Sequence, residues 1–279
     1  MKRNFLFLVL MVLLGSCTDQ KFMAALTGET SASNSAKEFR TLMEQARWGD
    51  GQAYLKLADC YRDGKGTEQD LICMICMLKM AEQFGGIGHV EDYLETLPED
   101  SEFRLVFETI ELFSRRRMEE AKAKIEQLND QKMPDGYTMK GIFAMESGDT
   151  LEAIRLVKIA ATKGSHLAEL LMCGPEWHGG TSMDMVQMKK VAEKNPFACS
   201  LLAMLYTGNG DEIPKNEQLA AYYFLKADEQ AFLGREGARW LLDYHRNGGY
   251  LQLSEKDLQR LRTLSGEDQE DNISDVEQK

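Results

Sequence analysis

Residues 53–81, AYLKLADCYRDGKGTEQDLICMICMLKMA, and residues 198–227, ACSLLAMLYTGNGDEIPKNEQLAAYYFLKA, carry one pattern twice, and a fixed-period repeat decides an architecture before any site is considered. Ala53, Leu57, Ala58 and Tyr61 recur at a constant offset of 145 as Ala198, Leu202, Ala203 and Tyr206. A glycine pair follows each set, Gly64 and Gly66 in the first and Gly208 and Gly210 in the second. Beyond the glycines the offset becomes 146, so that Asp70, Met74, Met77 and Ala81 match Asn216, Ala220, Tyr223 and Ala227. One residue has been inserted between the two halves of the pattern. Loops absorb insertions and packed helices do not, which makes the glycine segment a loop and its flanks helices.

Small and apolar residues three, four and seven apart share one side of a helix, so Ala53 with Leu57, and Ala203 with Tyr206, form a narrow stripe that lets a neighbouring helix approach closely. Gly64 and Gly66 suit a turn that needs positive φ, and Asp70 or Asn216 is the kind of side chain that caps the helix after it. The unit is a helical hairpin. It resembles the Sel-one-like repeat, a relative of the tetratricopeptide repeat, whose pattern places Ala, Leu-Gly, Tyr, Gly-x-Gly, Asp and two later Ala at these spacings. Ala58 and Ala203 stand where that family usually has Gly, and Ile213-Pro214-Lys215-Asn216 is close to its Val-Pro-Lys-Asp. The resemblance implies an all-α, right-handed α-solenoid of stacked hairpins.

Between the two strong copies, Tyr137, Gly141, Ala144, Ala153, Val157 and Ala160 fall at tetratricopeptide-type spacing around a Gly148-Asp149 turn. Leu105, Leu112, Ala121, Ile125 and Leu128 give a weaker hairpin around Arg115-Arg116-Arg117, and Ala238, Leu241, Leu242 and Tyr244 begin another. The expected solenoid therefore spans residues 37–265 as one domain, since a repeat array grows by stacking and needs no second core.

At the start, Lys2 and Arg3 precede an apolar run from Phe5 to Leu14, too short for a membrane span of ~20 residues but fitting a secretory signal. The run ends in Leu14-Gly15-Ser16-Cys17, which resembles the bacterial lipobox and implies cleavage after residue 16 and a lipid on Cys17. Thr18 is not the aspartate that retains lipoproteins at the inner membrane, so the resemblance implies the outer membrane of a Gram-negative cell envelope. Residues 17–36 are the expected lipidated tether, and the acidic stretch 266–279 an expected disordered tail.

The chain has 33 Lys and Arg against 45 Asp and Glu; loss of Lys2 and Arg3 with residues 1–16 leaves 31 basic side chains and a formal charge of −14. Nucleic acid, which needs a basic surface, is excluded as a partner by that balance, as is adsorption on an anionic membrane; membrane attachment rests on the lipid.

Little chemistry is written in the side chains. Of the cysteines after Cys17, Cys73 and Cys76 form a C-x-x-C inside a helix of the first strong repeat, where buried thiols, a staple to Cys60 and a redox or metal site are the alternatives. Cys173 and Cys199 complete the set. His89, His166, His178 and His245 lack the i, i+4 pairing of a zinc site, and no nucleophile elbow, phosphate loop or dinucleotide fingerprint occurs. No cofactor or metal is expected. The one irregular insertion is Cys173-Gly174-Pro175-Glu176-Trp177-His178-Gly179-Gly180.

Two functions follow. The first is a noncovalent protein or peptide recognition module, without enzymatic activity, using a groove lined by the first helices of the repeats. Tyr54, Arg62, Lys140 and Met204, beside the packing stripe, are its candidate contacts. The alternative is an envelope enzyme or cell-wall ligand binder using Glu176, Trp177 and His178.

Overall fold

A computed structural model describes residues 30–128, 133–209 and 213–267. Among these the regular structure is all helical, with fifteen α-helices, a short π-helical segment and no strand. They are α1 (Thr30–Ala46), α2 (Gly51–Asp63), α3 (Leu71–Gln83), α4 (Val90–Glu95), α5 (Glu102–Ser114), α6 (Met118–Gln127), α7 (Pro134–Glu146) and α8 (Thr150–Thr162). There follow α9 (His166–Leu171), α10 (Pro175–His178), α11 (Met185–Ala192), α12 (Pro196–Met204), α13 (Glu217–Asp228), α14 (Gly234–Arg246) and α15 (Glu255–Ser265). The chain is an all-α solenoid in which α2 pairs with α3, α5 with α6, α7 with α8, α12 with α13 and α14 with α15.

In the first strong hairpin, Asp50 caps α2 by accepting from the Gln52 and Ala53 N–H groups, and α2 stops at Gly64 in the left-handed region. Gly66 is also at positive φ (+77°), and a Cβ there would lie 2.5 Å from the Ser35 carbonyl oxygen, so α1 packs directly on the loop. Asp70 then caps α3 through the Cys73 N–H, as Asn216 caps α13 through the Leu219 N–H.

One hydrogen bond closes both loops. The Asp70 N–H donates to the Tyr61 carbonyl at 3.0 Å, and the Asn216 N–H donates to the Tyr206 carbonyl at 2.8 Å. The extra residue of the second repeat is therefore contained within a loop that begins and ends as the first does; α12 leaves through a wide π-type turn, Leu205–Asn209. The residues that define the repeat are buried: Ala53, Leu57, Ala58, Tyr61, Ala81, Ala153, Ala160, Ala198, Leu202, Ala203, Tyr206, Ala220 and Ala227. Gly141 earns its place differently: a Cβ there would come within 2.6 Å of Val157 Cγ2, so its absence lets α7 and α8 touch.

Two expectations change. α1 begins at Thr30, inside the stretch assigned to the tether, and its buried Phe39, Leu42 and Ala46 give it an apolar side that packs on the first repeat. The array is also not open-ended. Tyr61 of α2 meets Phe232, just beyond α13, with ring centroids 6.1 Å apart, and Arg235 of α14 donates to the Gln83 carbonyl at 3.0 Å. The first strong repeat thus packs against the second, and the array turns back on itself.

Residues 1–29, including Cys17 and the apolar run, and residues 268–279 of the acidic tail lie outside the described residues. Among the described residues no helix is long and apolar enough to cross a membrane.

Candidate functional site

The closure of the array decides which candidate contacts are available. Tyr54 is 0% exposed, contrary to its assignment to a groove: its ring stacks on Phe84 at 5.3 Å, and the Arg235 guanidinium covers the Phe84 ring. The side of α2 beside the packing stripe is occupied by the C-terminal hairpins, which a pattern read one repeat at a time does not include. Trp177 is likewise 0% exposed and belongs to the core. It sits on α10, a single turn started by Pro175, which leaves His178 exposed and the aromatic inside. The structure does not bring Trp177 and His178 to one surface.

Arg62 is half-buried and held in place, pairing with Asp59 at 2.8 Å and Asp63 at 2.6 Å and donating to the Tyr93 hydroxyl of α4 at 2.5 Å. Tyr93 in turn donates to Asp59 at 2.7 Å. Lys140 donates to the Leu128 carbonyl at 3.2 Å, and Met204 is half-buried against the core. These side chains sit in separate local contacts.

Two buried polar clusters were not visible as motifs. Asp228, at the end of α13, accepts from Arg260 of α15 at 2.6 Å through Oδ1 and from both Arg260 and Arg47 through Oδ2, the latter at 3.2 Å. Asp228 and Arg260 are both buried. This shared carboxylate ties the end of α1 to the last two hairpins. The second cluster joins α3, α7 and α9. Asp70 pairs with His166 Nδ1 through one oxygen while capping α3 with the other. Ser165 donates to Asp135 at 2.6 Å, lies 3.0 Å from Thr138 Oγ1 and accepts from the Ala168 N–H. Burial pushes Asp135 up to about 6, with the Ser165 hydrogen bond opposing and Asp70 reinforcing the shift. The serine, aspartates and histidine here are no nucleophilic triad: Ser165 is buried and bonded to Asp135, not to the imidazole.

Cys60, Cys73, Cys173 and Cys199 are buried thiols, so the staple from Cys60 to Cys76 or Cys73 is not formed. Burial pushes Cys60 up to about 11 and Cys173 up to about 12, which suppresses the thiolate a nucleophile needs. At the surface, Glu82, His89 and Glu91 each bring one donor atom within 4.8 Å of the others. They flank the α3–α4 connection, and Lys79 reaches Glu82 at 3.5 Å, so a cation there would compete with an ammonium already in place.

A cleft of about 480 Å³ lies elsewhere, along α5, walled by α4 and α6. Leu94 and Phe107 form its buried floor with half-buried Leu112 beside them, and glutamates from all three helices stand around it.

The Sel1 repeat family model matches residues 51–83 and 196–231. The first match coincides with α2 through α3, and the second runs from the start of α12 to just past α13. No curated protein matches the sequence. Among solved structures, a protective antigen present in uropathogenic Escherichia coli strains and displaying an SLR fold is 17% identical, with a TM-score of 0.40, and the likeness covers 82% of this chain. The chain spans about half of that protein, 48% of its length. A Sel1 repeat protein from Oxalobacter formigenes is 17% identical, with a TM-score of 0.38 over 92% of this chain and 82% of that one. The two matched stretches form hairpins near the beginning and the end of a solenoid of helical pairs, so the chain carries two Sel1 repeats.

Proposed function

We propose that the protein is a cell-envelope lipoprotein, anchored through Cys17 and facing an aqueous compartment, that recognises another protein noncovalently. Sel1 repeats suggest a protein-interaction or scaffold module. The observation that carries the proposal is the matched pair of repeats in an array of hairpins, with a cleft of about 480 Å³ on its helical surface. The burial of Trp177 weighs against the rival ligand-binding loop by removing its aromatic contact. Attachment is supported by the order of Lys2 and Arg3, the apolar run and Leu14-Gly15-Ser16-Cys17.

Fractionation of cells carrying wild type and Cys17→Ser tests the anchor. Wild type is expected in the detergent phase and the variant as an uncleaved or soluble form; a variant that partitions like wild type rejects lipidation. Cross-linking in intact cells followed by capture tests recognition, with a specific protein expected to co-purify. A captured protein that acts on a small molecule, with no protein bound, favours the enzymatic rival.

A further inference from the structure

The glutamates of the cleft along α5 are unequally balanced by basic side chains. Glu108 is bracketed by Arg104 at 2.8 Å and by Lys124, and Glu111 pairs with Arg115 at 2.9 Å. Those pairs hold α5 to its own turn and to α6. Glu91 and Glu95, on the opposite wall, are exposed and enter no ion pair among the described residues. They lie one helical turn apart on α4, which puts both on the side that faces the cleft. Between the walls the floor is apolar, formed by Leu94, Phe107 and Leu112. The lining helix residues from Arg104 to Arg115 follow one face of α5 for about 16 Å, at 1.5 Å per residue. A cavity of about 480 Å³ is in the range that holds several side chains or a small ligand.

We infer that this cleft is a docking site for a segment of a partner protein that carries lysine or arginine beside an apolar anchor. The inference rests on the protein-recognition reading above and names its partner chemistry. Charge complementarity selects the occupant: five glutamates against Arg104, Arg115 and Lys124 line the cleft, and the exposed Glu91 and Glu95, the latter with Arg104 nearby but in no ion pair, face an apolar floor. A basic side chain laid across the cleft places its methylene stem on Phe107 and Leu112 and its charged head at Glu91 and Glu95. An acidic segment would meet like charge, and a wholly apolar one would leave the two carboxylates facing it without a counter-charge.

The test uses the purified chain from residue 18 onward and two fluorescein-labelled nonapeptides, one of alternating leucine and lysine and one with glutamate at each lysine. Fluorescence anisotropy at low salt is expected to show saturable binding of the lysine peptide alone. Glu91→Lys with Glu95→Lys should weaken it about tenfold or more, and raised salt should do the same. Glu68→Lys with Glu193→Lys, the same change in net charge at exposed positions away from the cleft, should alter affinity by less than about twofold. Equal weakening by both double variants, binding of the glutamate peptide, or no binding of the lysine peptide overturns the assignment. In cells, a captured partner that stays bound to the Glu91→Lys, Glu95→Lys protein rejects this cleft while leaving the recognition module standing. Absence of any partner for wild type rejects the module itself.

Discussion

Asp135 is a buried carboxyl whose one side-chain donor is Ser165, and burial lifts it to about 6 from an ordinary value of 3.8. Asp70 adds to the shift, while Ser165 and His166 oppose it. The folded protein therefore keeps a proton that the unfolded chain releases near pH 4. Its stabilising contribution is complete below about pH 4 and is lost as pH rises to about 6. Asp70 behaves oppositely. Burial raises it too, but His166 and the Cys73 N–H outweigh burial and hold it below its ordinary value, so its contribution is lost only as pH falls below about 4. The two windows do not overlap. Asp135→Asn keeps an oxygen for Ser165 and removes the titration, and is expected to raise stability at pH 7.5 by on the order of 1–2 kcal/mol while leaving pH 4 stability nearly unchanged. Urea unfolding at both values checks this; a variant with the wild-type difference between them contradicts it. Neither aspartate announced this role in the sequence. Asp70 was legible as a cap because capping is local, whereas Asp135 acquires its environment from α9, which begins some thirty residues further along the chain.

Helical pairs were the most legible level, because the stripe of small residues and the glycine turn both act within one hairpin. The same locality permits sharp substitutions. Ala203 is fully buried in α12, so Ala203→Leu should overpack the α12–α13 contact and cost about 1–3 kcal/mol in urea or thermal unfolding. Two glycines separate backbone conformation from packing. Gly148 has positive φ and open space around its missing Cβ, so Gly148→Ala should cost about 1 kcal/mol, the left-handed penalty alone. Gly66 has a similar φ but abuts the Ser35 carbonyl, so Gly66→Ala should cost at least about 2 kcal/mol, the excess measuring the docking of α1. Equal costs at the two sites would show that α1 does not rest on this loop in solution. The start of α1 at Thr30 was not legible: Ser, Thr and Ala read as a linker by composition, and only the partner surface on the first repeat turns the segment's apolar side inward.

At the scale of the whole molecule, the two strong repeats are far apart in sequence and adjacent in space, and this is what closed the expected groove over Tyr54. A repeat pattern specifies how each hairpin folds and leaves open which distant faces meet. In an open array each unit contacts only its neighbours, and loss of the last hairpin spares the first. Here Arg235 sits on Phe84 and Gln83, and Arg260 shares Asp228 with Arg47, so the first repeat draws support from α14 directly and the end of α1, which packs on it, from α15. Removing residues 234–279 deprives Phe84 of its cover and leaves Asp228 with Arg47 alone. Amide hydrogen exchange in α2 and α3 is then expected to quicken about tenfold or more, with α7 and α8 less affected. Asp228→Ala in the full chain should act in the same direction, costing about 3 kcal/mol because buried Arg260 loses its close carboxylate and keeps only Asp257, at 4.0 Å, as a counter-charge. Replacing both partners, as Asp228→Leu with Arg260→Met, should recover most of that loss, since the penalty belongs to the stranded charge. Unchanged exchange in α2 and α3 after truncation would mean that the array is open at its ends and that the inner side of α2, Tyr54 included, is available to a partner after all.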